Sequence, residues 1–404
     1  MRDSIRSEAF NAEVAVVGGG PAGLVTAVAL AAAGRDTILI APFAKPDHRT
    51  TALLGGSVAA LNTLGAWQDC LAHAAPLKKL RLIDATDRLF RAPEVLFDAA
   101  EIGLDAFGHN IENRHLMAAL EARAASLRIP RLAEPALAIS PDAAGVTIGH
   151  ADGHVRVRLA IGADGARSLC RAAAGIATRR HSYPQTALTL NLSHTRPHGD
   201  TATEFHTASG PFTLVPLPGQ RSSLVWVLDP AHAAALAASD DAALGAEIER
   251  RAHSLLGKIT VEAGRGVFPL AVETAQACGR GRIALVGEAA HLVPPIGAQG
   301  LNLGLRDAAT LAEIVAGARR EGRDADATEI IRQYDASRRA DVMSRAAAVD
   351  LLNRSLLTGL LPVHGARGLA LYLAGRIGPL RRALMREGVA PAASQPKLMR
   401  GEMV

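Results

Sequence analysis

Aromatic residues are scarce in this chain: Phe, Trp and Tyr together make up 3% of its 404 residues. With so few ring platforms, and with the basic residues dispersed except near the C-terminus, nucleic-acid binding is not expected despite a formal charge of +5. Cysteine is just as rare. Cys70, Cys170 and Cys278 stand far apart with no CxxC pair, which argues against a disulfide framework and a structural zinc. A reducing, cytoplasmic compartment is the default reading. The 14 histidines form no HExxH or other metal-ligand spacing. The opening stretch MRDSIRSEAFNAEV is polar and carries acids, unlike a secretory leader. The apolar run Val14–Leu39 is interrupted by Gly18, Gly19, Gly20, Pro21 and Gly34, so it reads as strand, turn and helix rather than a membrane span.

What the chain does have is glycine at particular places. Val14–Val17 reads as a buried parallel strand, Pro21–Ala33 as a helix and Thr37–Ile40 as the next strand, which is a β-α-β order. GGGPAG falls at the first strand-to-helix turn. Gly18 permits the tight turn, Gly20 lets a pyrophosphate approach the backbone and Gly23 permits close helix–strand contact. Pro21 and Ala22 open the helix, whose N-terminus favours an anion. This pattern points to a dinucleotide without choosing between FAD and a nicotinamide. The acid expected at the end of the second strand, for the adenosine ribose, is missing; Ala41 stands there, and Asp36 and Asp47 are misplaced.

A second cluster, IGADGARSLCR, runs from a strand end into a helix through Asp164 and Gly165. A third, GRIALVGEAAHLVPPIGAQGLNLGLRDA, repeats the strand–turn–helix plan over residues 281–308. Its strand is Ile283–Val286, and a helix begins at Leu301 with exposed amides able to hold polar oxygens. Between the second and third clusters, Leu188, Leu190 and Leu192 alternate with polar residues, as expected for antiparallel sheet. The stretch 135–159 reads as a hairpin, and 231–255 and 328–386 read as largely helical.

In that order and at those separations, the three clusters resemble the class A flavoprotein aromatic hydroxylases, and most of all their ubiquinone-biosynthesis branch. RTTALLGGSVAALNTLGAW and IENRHLMAAL look like further blocks of that branch. The resemblance implies an α/β fold: a Rossmann-like FAD domain over 11–180 and 271–325, an antiparallel substrate domain over 181–270, a helical region over 326–390 and a disordered tail over 391–404. It implies that the two remote glycine turns clamp one extended FAD. Asp164, Arg49 and Arg114 are expected near its phosphates and ribityl chain, with Gly287, Glu288 and Gly297 in the third loop. Gln299, Gly300, Leu301 and Asn302 are expected to line the flavin, with Pro295, Ile296 and Gln299 flanking the ring. Glu288 departs from the aspartate usual in the family. His291 is read as a packing residue rather than a base.

The implied reaction is reduction of FAD by NAD(P)H or another donor, addition of O2 at the flavin C4a, and transfer of one oxygen to an electron-rich ring. The implied substrate is a polyprenylated phenol of ubiquinone synthesis. A small soluble phenol is the alternative, and a flavin-poor scaffold in a quinone-biosynthesis assembly is a third reading, motivated by Ala41 and Glu288. Leu351–Leu361 and Leu369–Ile377, flanked by arginines, suggest a peripheral membrane contact or a homodimer surface.

Overall fold

The structure is a computed structural model and describes residues 10–86, 91–320, 327–357, 376–389 and 395–404. An eight-stranded sheet has parallel strands Ile283–Leu285, Gly153–Gly162, Phe10–Val17, Thr37–Ile40 and Arg131–Leu132 as neighbours. Phe10–Val17 lies at the centre, paired to Thr37–Ile40 on one side and Gly153–Gly162 on the other. Buried on both faces, these strands need apolar side chains throughout, and Thr37–Ile40 is buried at every position. The hairpin of Ala138–Pro141 and Val146–His150 extends the sheet. Gly153–Gly162 serves both the hairpin and the parallel sheet as one continuous strand.

Helix Pro21–Ala32 is apolar on all sides because it lies between this sheet and helix Gln299–Arg320; eight of its residues are buried. Proline at its first position costs nothing, since that amide has no partner within the helix.

The second sheet has nine strands and carries Thr178–His194, Arg221–Leu228, Gly210–Leu217 and Thr201–Thr207 in its middle. It also recruits Lys79–Asp84 and Val95–Asp98 from earlier in the chain, and His291–Leu292 at its far edge. The pairing of Thr201–Thr207 with Lys79–Asp84 is parallel, so the sheet is mixed where pure antiparallel pairing was expected. Its two faces differ. Leu188, Leu190, Phe205, Phe212 and Trp226 pack under helices Pro230–Ala238 and Asp241–Arg251 with Ala233, Leu244 and Ile248. The stretch expected to be one helix over 231–255 is two, because Asp240 caps a new start by accepting from the Ala243 amide.

Helix Ala327–Leu357 packs on Gln299–Arg320 and reaches the second sheet, where Tyr183 donates to Asp350 and Asn353 donates to Gln185. The tail is a correction. Residues 395–404 are ordered, with a short 3-10 turn Lys397–Arg400 that buries Leu398 and Met399 against Gly55–Thr63 and Gln299–Arg320. Two apolar side chains and a hydrogen bond from the Lys397 amide to Glu313 hold it. Of the segments Leu351–Leu361 and Leu369–Ile377, residues 358–361 and 369–375 lie outside the described residues.

Candidate functional site

The three motif clusters converge on one cleft. At the first turn Gly18 has φ +116°, and a Cβ there would lie 2.2 Å from the Ala163 carbonyl oxygen. A Cβ on Gly23 would lie 2.0 Å from the Gly18 oxygen. Both positions therefore require glycine. Gly20 is different: a Cβ there would meet nothing within 4 Å. Its freedom faces open space at a helix start, which is where a phosphate could approach. The third cluster arrives from the other side. A Cβ on Gly304 would lie 3.1 Å from the Gly287 Cα and 3.4 Å from the Ala22 Cβ. The two remote glycine turns are in contact.

The second cluster joins them through Asp164, whose backbone nitrogen lies next to Gly18. The Asp164 carboxylate supports the start of the following helix, whose cap is Ser168, accepting from the Ser168 hydroxyl at 2.6 Å and the Cys170 amide at 3.1 Å. Arg171 then reaches the third cluster, donating to the Ala289 carbonyl at 2.9 Å.

The third loop hangs from a buried charge network. Asp307 is fully buried and accepts from the Gly287 amide at 3.0 Å, His291 Nε2 at 2.6 Å and Arg338 Nε at 2.8 Å. Burial would raise the Asp307 carboxyl, but His291 and Arg338 outweigh it and hold it below the usual carboxylate range. Asp341 closes the ring with Arg338 and Arg306. Burial opposes its charge too, yet the two guanidinium groups pull it down to about 2. His291, with its side chain fully buried, positions this loop.

Sequence reasoning missed Arg306, Asp307, Arg338 and Asp341. Asp307 is visible only as an acid inside an apolar helix, and nothing local names its partner 31 residues on.

Beyond Gly287 the loop carries Glu288, exposed and within the field of Arg49. Pro295 and Gly297 are exposed. Ile296 is only 1% exposed, so its side chain is turned into the protein and offers no open wall. Helix Gln299–Arg320 starts two residues earlier than expected. Asn302 is buried and spends its whole side chain on anchoring. It accepts from the Leu54 amide at 2.9 Å and the Ser57 hydroxyl at 2.6 Å, and it donates to the Ala52 and Ala298 carbonyls. That leaves the backbone amides of Gly300, Leu301 and Asn302, which lack partners within the helix, to meet a ligand.

Arg49 and Arg114 come together across Asp47 and Glu112. Arg49 grips Asp47 through two donors, and the Arg114 amide donates to the Asp47 carbonyl. Arg114 also pairs with buried Glu112 at 3.0 Å. Arg49 lies over the Phe268 ring, 5.2 Å from its centroid.

These contacts identify the sheet face that looks toward the cleft. Asn110 donates to Ser223, and Asn191 donates to the His48 carbonyl. Residues directly opposite in the ladder share a face. Ala187, Val227 and Phe268 therefore lie on that side with Thr189, Val225 and Thr213. Leu190, Phe205, Phe212 and Trp226 are on the opposite face, in the core under the two helices.

The residues fit an extended dinucleotide: an open glycine at one helix start, a second helix start in contact with it, and arginines at the rim. Residues 11–348 match the family described as FAD binding domain. The chain belongs to the class A FAD-dependent aromatic hydroxylases. As a monooxygenase of that class it is 36% identical to the ubiquinone hydroxylase UbiL of Rhodospirillum rubrum, over 96% of this chain and 93% of that protein. It is 33% identical to the 3-demethoxyubiquinol 3-hydroxylase of Escherichia coli, over 93% and 97%. The hydroxylase also superposes on p-nitrophenol 4-monooxygenase from Pseudomonas putida with a TM-score of 0.76 at 21% identity, covering 95% of this chain and all of that one. At that identity the likeness speaks to the fold. FAD is accordingly the cofactor the cleft is built to hold.

Proposed function

We propose that this monooxygenase hydroxylates an aromatic ring of a polyprenylated ubiquinone precursor, using NAD(P)H or another reductant. The observation that carries this reading is near-complete coverage in both directions by two relatives named for ubiquinone hydroxylation. Bound FAD, once reduced, supplies the activation of O2 and delivery of one oxygen atom to the ring, the other leaving as water.

The chain's own part is to bind, orient and exclude water. The amides that open helices Pro21–Ala32 and Gln299–Arg320 would hold the pyrophosphate and the flavin edge. Arg49 and Arg114 would balance phosphate charge at the rim. Val225 and Phe268, which are not buried, offer apolar side chains on that sheet face against which a ring could be held away from solvent.

A prenylated ring needs a route from lipid. Among the described residues no helix is long and apolar enough to cross a membrane. Ile377, Leu380 and Leu384 are nevertheless exposed on or beside helix Gly378–Val389, with Arg382 and Arg386 exposed alongside. That mixture suits a peripheral contact with an anionic bilayer surface.

Deleting the gene and profiling quinone intermediates tests the reading. Accumulation of a precursor lacking one ring hydroxyl, reversed by the intact gene, is expected. An unchanged quinone pool, with turnover of a small phenol by the purified protein, would shift the substrate to soluble phenols.

A further inference from the structure

We propose that the adenosine end of FAD is held in this chain by a stacked Phe43–Arg131 platform in place of the ribose-binding carboxylate. The inference rests on the FAD reading of the cleft. Strand Thr37–Ile40 ends in Ala41, which is 3% exposed and brings only a methyl group. That methyl lies where a ribose acid would project: a Cβ built on Gly19 would be 2.9 Å from the Ala41 Cβ. The same point is 3.2 Å from Arg131 Nη2. A guanidinium therefore stands beside the glycine turn where an anion is the rule.

Each nitrogen of the Arg131 guanidinium already makes a hydrogen bond. It comes from strand Arg131–Leu132, paired in parallel with the end of Thr37–Ile40. Its Nε donates to the Ala41 carbonyl at 3.0 Å, Nη2 to the Pro42 carbonyl at 2.8 Å and Nη1 to Glu121 at 2.5 Å. With the edge of the group tied down, what it offers is its flat face, and that face carries Phe43 at 3.9 Å from the ring centroid. Phe43 itself is 67% exposed, the most exposed of the ring-bearing apolar side chains described. A large ring held flat on a cation at the edge of a nucleotide cleft is a stacking surface for a base. Adenine would then be recognised by its face, and the ribose hydroxyls would go unread.

The test is flavin fluorescence titration of the full chain stripped of flavin, using FAD, its 2′-deoxyadenosine analogue and FMN. FAD and the deoxy analogue are expected to bind within about twofold of each other, because no side chain reads the hydroxyl. Phe43→Ala should weaken FAD about tenfold and leave FMN and the thermal unfolding of the flavin-free chain unchanged, while Phe43→Trp restores FAD binding. Loss of about tenfold or more with the deoxy analogue would overturn the platform, since it would reveal a ribose contact. Wild-type FAD affinity in Phe43→Ala would overturn it as well, as would equal weakening of FAD and FMN. A wild-type chain that takes up neither flavin would bring down the FAD reading and this inference together.

Discussion

The turn at Gly18–Gly23 keeps its shape by backbone pressed on backbone, whereas the loop from Gly287 to Asn302 hangs from buried charges. At the first turn no side-chain cap is present, and the nearest atoms to Gly18 and Gly23 are main-chain oxygens. At the second, Asp307 gathers an amide, an imidazole and a guanidinium from three segments of chain. One support is steric and local; the other is electrostatic and borrowed from helix Ala327–Leu357. The loop nearest the expected flavin ring is thus tied to a helix that also contacts the second sheet through Tyr183 and Asn353.

The largest effect should come from removing the charge at the centre of the second support. Asp307→Ala leaves the buried Arg338 with Asp341 as its remaining carboxylate, and breaking a buried pair costs about 3–5 kcal/mol. Denaturant unfolding should show the loss. Adding Arg338→Met should recover part of it, because the buried cation that has lost Asp307 goes too, while Asp341 keeps Arg306. A double variant as unstable as the sum of the single ones would mean that the network is not a unit.

This contrast also explains what could be read from the sequence. Strand Thr37–Ile40 was delimited from sequence to the residue, because a fully buried parallel strand and its flanking turns write themselves as a short apolar run. Gly18 and Gly23 were legible for the same local reason. Asp307 was not, because its partners lie 20 residues back at Gly287 and 31 residues on at Arg338. Ile296 looked like a flavin wall in the sequence because apolar residues near a site can face either way, and only packing decides. The ordered tail escaped notice because Leu398 and Met399 have no periodicity to announce them, only a groove to fill.

A second test separates the supports by pH. The Asp341 carboxyl sits at about 2 against an ordinary 3.8, so its contribution to stability is complete above pH 3.8 and is lost as pH falls through 2. Asp307 is shifted the same way. Acid should therefore loosen the third loop within that window, seen as protease cleavage or amide exchange near residues 287–302. The Gly18–Gly23 turn has no titrating support and should open only with the whole domain. Simultaneous opening of both would remove the distinction.

Next in size is the steric support. Gly23→Val places a side chain against the Gly18 oxygen, where even a Cβ would be 2.0 Å away. The turn must deform, at about 1–3 kcal/mol, and FAD uptake should fall with stability. Gly20→Val is the sharper probe, since its side chain enters open space. The fold should be unchanged in thermal unfolding while FAD affinity falls by about tenfold or more, because the branched chain fills the approach to the backbone amides. Normal FAD affinity in that variant would move the phosphate elsewhere.

The smallest expected effect is at Glu288, where the family usually carries aspartate. The residue is exposed in the short turn Gly287–Ala289, so shortening it by one methylene disturbs no packing. Its environment is set by Arg49, whose guanidinium is already committed to Asp47. If the longer side chain simply stands too far forward of a sugar hydroxyl, Glu288→Asp should tighten FAD by about threefold, a fraction of one hydrogen bond. Weaker binding would mean that the loop, pinned through Asp307, has settled at a distance matched to glutamate. The buried network would then be setting cofactor geometry as well as holding the loop in place.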